Sequence, residues 1–267
     1  MKDTVPIISI SIVSHNQGLL IAELLSDLEK YCVKQIEVIL TINTKENLPF
    51  TESDFSFPVC FIQNKEKKGF GTNHNQAFEH AKGKFFCVLN PDIRLNANPF
   101  PALIGCFEDK TVGLTAPLIK DENGKIAENA RKFPTPFILF KKLLHLKKKY
   151  DYSIGLDVFS PDWVGGMFML FPCNVFQQIG GFDEKYFLYY EDVDLCARLT
   201  LYGYKIIHYP FVSAIHKARY DSHRNIRYLL WHILSIIKFF SSRSYINTVI
   251  KNILTRNSKV KRYSIPN

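Results

Sequence analysis

The sequence predicts an α/β fold built on a parallel, doubly wound sheet over roughly the first hundred residues, and three observations carry that prediction. Residues 7–13 (IISISIV) form a continuous β-branched run, as expected of a strand buried on both faces. Strand-like and helix-like segments then alternate. Polar or small residues follow the strands, at the carboxyl ends where open α/β sheets bind their ligands.

Each element has its own signal. Residues 18–31 show helical spacing at Leu20, Leu24, Leu25 and Leu28. A second strand, Glu37 to Ile42, leads into a polar, proline-containing connection. Val59 to Ile62 reads as a third strand, residues 72–82 as a second helix, and Phe85 to Leu89 as a fourth strand running into Asn90-Pro91-Asp92. The stretch 93–170 mixes short segments with a lysine cluster, KKLLHLKKKY (141–150), after Pro134 and Pro136. Asp162 to Phe171 reads as one strand interrupted at Gly165-Gly166, where a backbone or ligand can approach closely. A helix follows the aromatic run ending at Tyr190, with Asp194 and Arg198 spaced to pair and Leu195 and Leu199 as its buried stripe. Gly203 ends it where a left-handed residue is wanted.

Residues Asn225 to Lys251 show apolar helical spacing, but no uninterrupted run approaches the ~20 residues of a spanning helix. The expectation is an amphipathic helix lying on a membrane with Trp231, Phe239 and Phe240 inserted. A helix packed on the core is the alternative.

With 267 residues, 46% of them hydrophobic, the chain can bury one large domain or a domain with an appendage. The six cysteines show no CxxC and no metal-type spacing, which points to buried free thiols in a reducing compartment. Lys2 and Asp3 lead straight into a strand-like run without a signal-peptide pattern, so a cytoplasmic location is expected. The net charge of +9 is uneven: residues 217–267 hold eleven Lys/Arg and one acid, whereas the first 216 residues are nearly neutral. A basic tail on a neutral body calls for a polyanionic partner, a membrane leaflet or nucleic acid. Nucleic acid is the weaker of the two, because the tail aromatics lie in an apolar stripe rather than among the basic residues.

The strand-end residues Ser14, His15, Asn16, Asn43, Asn64, the Gly69–Asn75 loop, and Asn90-Pro91-Asp92 would converge on one edge. Asp92 is a suitable ligand for a hard divalent ion bridging phosphates, and His216 is a candidate second ligand. An Asn-Pro turn and a structural histidine are the plainer readings. The KKGFGTNHN loop (67–75) matches neither phosphate-binding glycine fingerprint, and alone reads as a strand-to-helix turn capped by Asn. Glu191 and Asp192 sit at a helix start, where N–H groups and the dipole favour negative charge. A capped helix with a surface ion pair explains that segment equally well.

Taken in order, VSHN, NKEKKGFGTNHNQAF, LNPD, WVGGMFML and GFDEKYFLYYEDVDLCARL resemble the inverting glycosyltransferases of family 2. Within that family the chain is similar to bacterial rhamnosyltransferases that use dTDP-rhamnose. The resemblance implies a GT-A fold: a Rossmann-like, mixed and mostly parallel sheet flanked by helices. It implies a catalytic domain over 1–216, with a nucleotide-sugar half to about 95, and a basic amphipathic helical tail over 217–267. Asp192 would be the general base beside Glu191. Ser14, His15, Asn16, Asn43, Asn64, Gly71, Asn75, Asn90 and Asp92 would bind the nucleotide sugar. Trp163, Gly165, Gly166 and Tyr190 would face the acceptor. Asp92 and His216 would hold Mg²⁺ or Mn²⁺, with Asn90 standing where the family has an acidic residue. At Asn43 relatives often carry an Asp-Asn pair, and this chain has Ile42-Asn43.

The implied reaction moves L-rhamnose from dTDP-rhamnose, or a hexose from a UDP donor, onto a polyprenyl-diphosphate-linked N-acetylglucosamine in surface-polysaccharide synthesis, such as O-antigen. The tail and the 141–149 lysines would hold the enzyme on the cytoplasmic face of an anionic membrane. A homodimer is compatible with the sequence. The helix N-terminus should lower the base's pKa and the aromatic surroundings of Phe187, Tyr189 and Tyr190 should raise it.

Overall fold

The computed structural model describes residues 6–32, 35–138, 151–152, 157–217 and 226–251. The lysine cluster at 141–150 lies outside the described residues.

The first half forms as its sequence dictates. Strands β1 (Ile8–Ser14) and β2 (Ile36–Ile42) are buried at every position, which is what an apolar run without alternation requires. They pair in parallel with each other, β2 pairs with β3 (Val59–Gln63), and β1 pairs with β4 (Phe85–Leu89). Helix α1 (Gly18–Tyr31) buries Ile21, Leu24, Leu25 and Leu28 against this sheet.

Helix α2 spans Phe70–Phe78, earlier at both ends than the spacing suggests. It opens at Gly69 rather than on an asparagine cap, and it stops because the following backbone is drawn to the sheet. There the Lys82 N–H donates to Glu37 and the Gly83 N–H donates to the Ser9 hydroxyl, at 2.7 and 2.8 Å.

The second half makes the sheet mixed. After β5 (Ile93–Arg94), α3 (Phe100–Gly105) and β6 (Val112–Lys120), the chain adds β7 (Ala130–Arg131), β8 (Trp163–Val164), β9 (Phe168–Pro172), α4 (Cys173–Gln178), α5 (Glu191–Leu201) and β10 (Lys205–His216). The eight-stranded sheet runs β3-β2-β1-β4-β9-β6-β10-β5, with β9 antiparallel to β4 and β6. The segment expected as one glycine-interrupted strand is two strands in different sheets. Its first part, β8, pairs among the described residues with β7 alone in a small ribbon, while β9 enters the main sheet. Gly165 and Gly166 are the corner between them.

Apolar side chains from both faces form two cores, one with α1 and α3, the other with α2, α4 and α5. A third cluster joins Tyr186, Tyr190, Val193 and Ala197 to Phe239 of helix α6 (Ile226–Phe240). The C-terminal helical stretch is broken at 241–242. Ser242 there donates to the Phe239 carbonyl and accepts the Tyr245 N–H, ending one helix and starting the next over 243–251. The inserted residues expected of this stretch are corrected: Phe239 is fully buried, Phe240 packs on Tyr245, and Trp231 packs at a tilt against Phe187. Among the described residues no helix is long and apolar enough to cross a membrane. All six cysteines are free thiols; Cys32, Cys87 and Cys196 are buried, whereas Cys60 is exposed on β3.

Candidate active site

The strand order reverses between β1 and β4, whose neighbours lie on opposite sides, and a crevice opens there beyond the strand ends. It is a cleft of about 710 Å³, within the range of sites that take a small ligand. His15 and Asn16 after β1, and Asn90 and Asp92 after β4, line one side. Trp163, Gly165, Gly166, Glu191 and Asp192 line the other. These residues come from distant parts of the chain, as the sequence reading required.

The remaining strand-end residues support the cleft from beneath. Asn43 is 2% exposed and its amide is used within the protein. It donates to the Lys68 carbonyl at 2.9 Å and contacts the His15 ring at 3.2 Å, while its oxygen accepts from Lys68 N–H and Asn64. Asn64 also donates to Asn73 at 2.6 Å. This chain of amides positions His15 and the lysine loop instead of facing a ligand. Ser14 is fully buried. Asn75 is drawn away by paired bonds with the Phe182 backbone, and Gly71 packs against the Phe182 side chain. Tyr190 turns its ring onto Phe239 rather than toward the acceptor side of the cleft.

The Glu191–Asp192 pair is held by strained backbone. Tyr189 and Tyr190 have φ of 71° and 67°, a left-handed conformation costly for aromatic residues. The turn persists because α6 clamps it: both tyrosine rings meet His232, Tyr190 packs on Phe239, and Ser235 donates to the Leu188 carbonyl at 2.9 Å. From that turn Asp192 is half-buried in the cleft. One carboxylate oxygen accepts the Gly166 N–H at 3.1 Å and the other its neighbour Val193 N–H at 2.8 Å. The glycine corner allows this close approach, because a Cβ on Gly166 would meet the Phe70 ring at 3.2 Å.

Glu191 is 5% exposed and its Oε2 has no hydrogen-bond partner. Burial pushes its carboxyl well above the ordinary range, and the neighbouring Asp192 pushes the same way. Burial also raises Asp192, against the pull of the Gly166 and Val193 N–H groups and of Arg131. Desolvation therefore outweighs the helix terminus for both groups. Two residues on, Asp194 pairs with Arg198 at 2.8 Å as its spacing predicts, and it also accepts from Ser244.

Antiparallel pairing of β5 with the end of β10 sets His216 opposite Ile93. Its Nε2 then lies 3.3 Å from Asp92 Oδ1, an oxygen without a hydrogen-bond partner. No cluster of three or more His, Cys, Asp or Glu suited to a metal occurs among the described residues.

Sequence reasoning missed several cleft residues. His74, buried and bonded to the Ser11 hydroxyl at 2.7 Å, is held neutral, its pKa lowered to about 3 mainly by burial. His15, which the sequence did single out, has its pKa lowered to about 4, first by desolvation from the chain around it and then by Lys67. Arg131 lies 5.5 Å over the Trp163 ring and pairs with Glu128 at 3.4 Å. Lys67 and Lys68 had a signal in their basic, glycine-bearing loop. Arg131, Tyr228 and Trp231 had none, since only the β7–β8 ribbon and α6 bring them to the cleft.

Residues 9–169 match the family described as glycosyl transferase family 2. The chain belongs to that family. It is a glycosyltransferase, with the GT-A type of sheet seen in solved members of the fold. Residues 145–224 also match the N-terminal domain of galactosyltransferase. Rhamnosyltransferase WbbL of Escherichia coli K12 is 33% identical over 188 residues, 66% of this chain and 71% of that protein. The N-acetylglucosaminyl-diphospho-decaprenol L-rhamnosyltransferase of Mycobacterium tuberculosis H37Rv is 24% identical across 91% of this chain and 86% of its own length. The crystal structure of GalNAc-T7 with UDP, GalNAc and Mn²⁺ superposes with a TM-score of 0.62 at 19% identity, over 82% of this chain and 44% of that one.

Proposed function

We propose that this glycosyltransferase moves L-rhamnose from dTDP-rhamnose to a hydroxyl of a lipid-linked N-acetylglucosamine acceptor by a single inverting displacement, with Asp192 as the general base. The observation that carries the base assignment is the contrast within the carboxylate pair. Both line the cleft, but Asp192 is the more exposed and has N–H donors on both oxygens, whereas Glu191 is 5% exposed with one oxygen lacking a hydrogen bond. A pKa raised from the usual aspartate value suits a base that must accept a proton from a hydroxyl. Both relatives are rhamnosyltransferases, which favours rhamnose, and the mycobacterial one, named for a decaprenol-linked N-acetylglucosamine, favours a lipid-linked acceptor.

In the reaction the acceptor oxygen forms a bond to the anomeric carbon as the bond to the nucleoside diphosphate breaks, and the hydroxyl proton passes to Asp192. Gly166 and Val193 orient that carboxylate. Trp163, stacked under Arg131, offers an apolar face to the acceptor sugar. Lys67 and Lys68 place positive charge beside the nucleotide edge.

The Asp92 oxygen, without a hydrogen bond and 3.3 Å from the His216 imidazole, fits a divalent cation, Mg²⁺ or Mn²⁺, with carboxylate and nitrogen ligands. When bound, such a cation neutralises charge on the departing diphosphate. Asn90 contributes an amide where an acid would bind more strongly. The basic stretch 217–267 supports peripheral attachment to an anionic leaflet on the cytoplasmic side.

Thermal unfolding in a panel of nucleotide sugars tests the donor. A ligand bound only by the native state at 100 times its Kd adds about 2.7 kcal/mol. Protection by dTDP-rhamnose, with dTDP released on addition of acceptor, is expected. Protection by UDP-hexoses alone would assign a hexosyl transfer instead.

A further inference from the structure

Helix α6 presents opposite faces to two different surroundings. Ser235 and Phe239 are buried against the catalytic turn, and Tyr228 and Trp231 line the cleft. On the other side Ile226, Leu229, Leu230, Ile233, Leu234 and Ile237 are exposed, from 43% to 73%. At 100° per residue these six fall within an arc of about 140°, a continuous aliphatic stripe. Single exposed leucines are ordinary, but six on one helix face are not. In the next helix Ile246 and Ile250 are each about half exposed as well.

We propose that this face inserts into an anionic lipid bilayer and sets the mouth of the cleft at the membrane surface, resting on the reading of the acceptor as lipid-linked. Charge selects the occupant. The stripe belongs to a stretch, 217–267, with eleven cations and one acid. Two copies meeting face to face would bring like charges together, whereas anionic headgroups attract them. The aliphatic stripe supplies the apolar contact that electrostatics alone would lack. Because Tyr228 and Trp231 belong to the same helix, insertion of the stripe holds the cleft rim beside the headgroups. A diphosphate-linked sugar then reaches Asp192 while its lipid tail stays in the bilayer.

The test uses the full chain, its Leu230→Gln/Leu234→Gln variant, and vesicles of phosphatidylglycerol with phosphatidylethanolamine or of phosphatidylcholine alone. Neither leucine lines the cleft, so melting temperature and donor binding should match wild type. The wild type should bind the anionic vesicles, and the variant about tenfold more weakly. Turnover of an acceptor embedded in those vesicles should fall in parallel, while turnover of the same sugar diphosphate on a short, soluble alkyl chain stays unchanged. Equal vesicle binding by variant and wild type overturns the proposal. So does a wild-type dimer in vesicle-free solution that the variant abolishes, which makes the stripe a contact between copies. Transfer to neither acceptor, with vesicle binding intact, refutes the acceptor reading instead and leaves the bilayer contact standing.

Discussion

Asp192→Asn separates chemistry from architecture, because the amide nearly matches the carboxylate in shape. The carboxylate accepts two backbone N–H groups, from Gly166 at 3.1 Å and from Val193 at 2.8 Å. An asparagine oxygen can replace only one acceptor, so one N–H is left facing an NH₂ group. An unsatisfied donor of this kind costs about 1–3 kcal/mol. The fold survives such a loss. Removing a general base costs about 10²–10⁴ in rate, or about 3–5 kcal/mol in the barrier. Steady-state transfer assays should therefore show kcat down by that factor with the donor KM unchanged. The pH profile adds a second readout. Burial raises the Asp192 pKa, so the wild-type rate should fall, as pH drops, through a value above the ordinary aspartate 3.8. The variant should lack that limb. Turnover within a few-fold of wild type, or an acid limb retained in the variant, would refute Asp192 as the base.

Three further outcomes follow from the same geometry. The Glu191 pKa is raised, so the fold favours its neutral form; that stabilisation is complete below the ordinary value of 4.5 and is lost as pH rises through the raised one. Glu191→Gln should thus melt higher than wild type at pH 8 and close to it at pH 4, each tenfold change in proton affinity being worth about 1.4 kcal/mol; an unchanged difference across that range counts against it. In Gly71→Ala the new Cβ would lie 2.6 Å from Phe182 Cβ, and overpacking of this kind costs about 1–3 kcal/mol. Calorimetry should show a lower melting temperature and weaker donor binding as α2 shifts with His74, and an unaltered melt would contradict that packing. Asp92→Ala should weaken donor binding and abolish its response to Mn²⁺ in titration calorimetry, whereas a retained response would place the cation elsewhere.

The first half of the fold is legible because its signals are local. A strand buried on both faces must be apolar throughout, and β1 and β2 are. The leucine spacing of α1 and the pairing of Asp194 with Arg198 likewise follow from helix geometry. The strand-end rule brought His15, Asn16, Asn90 and Asp92 together without coordinates. Trp163 and the Gly165-Gly166 corner were flagged, but that the corner separates two sheets depends on which strand each half pairs with. Asn43 and Asn75 looked the same as the other strand-end amides. Only their partners show that one braces His15 and the other ties down Phe182.

The sequence alone therefore determined the parallel strands of the first half, helix α1 and the crevice beyond the strand ends, since each rests on periodicity or spacing along the chain. The role expected of the acidic pair came instead from the family resemblance. Tertiary structure decided what those residues experience. Burial raises both carboxyls despite the helix terminus, because desolvation depends on what packs around a group rather than on its neighbours in sequence. It also reversed the C-terminal helix. Phe239, expected to face lipid, is buried behind the strained tyrosines, and the aliphatic stripe faces outward, because α6 meets the Tyr189–Tyr190 turn with its aromatic side.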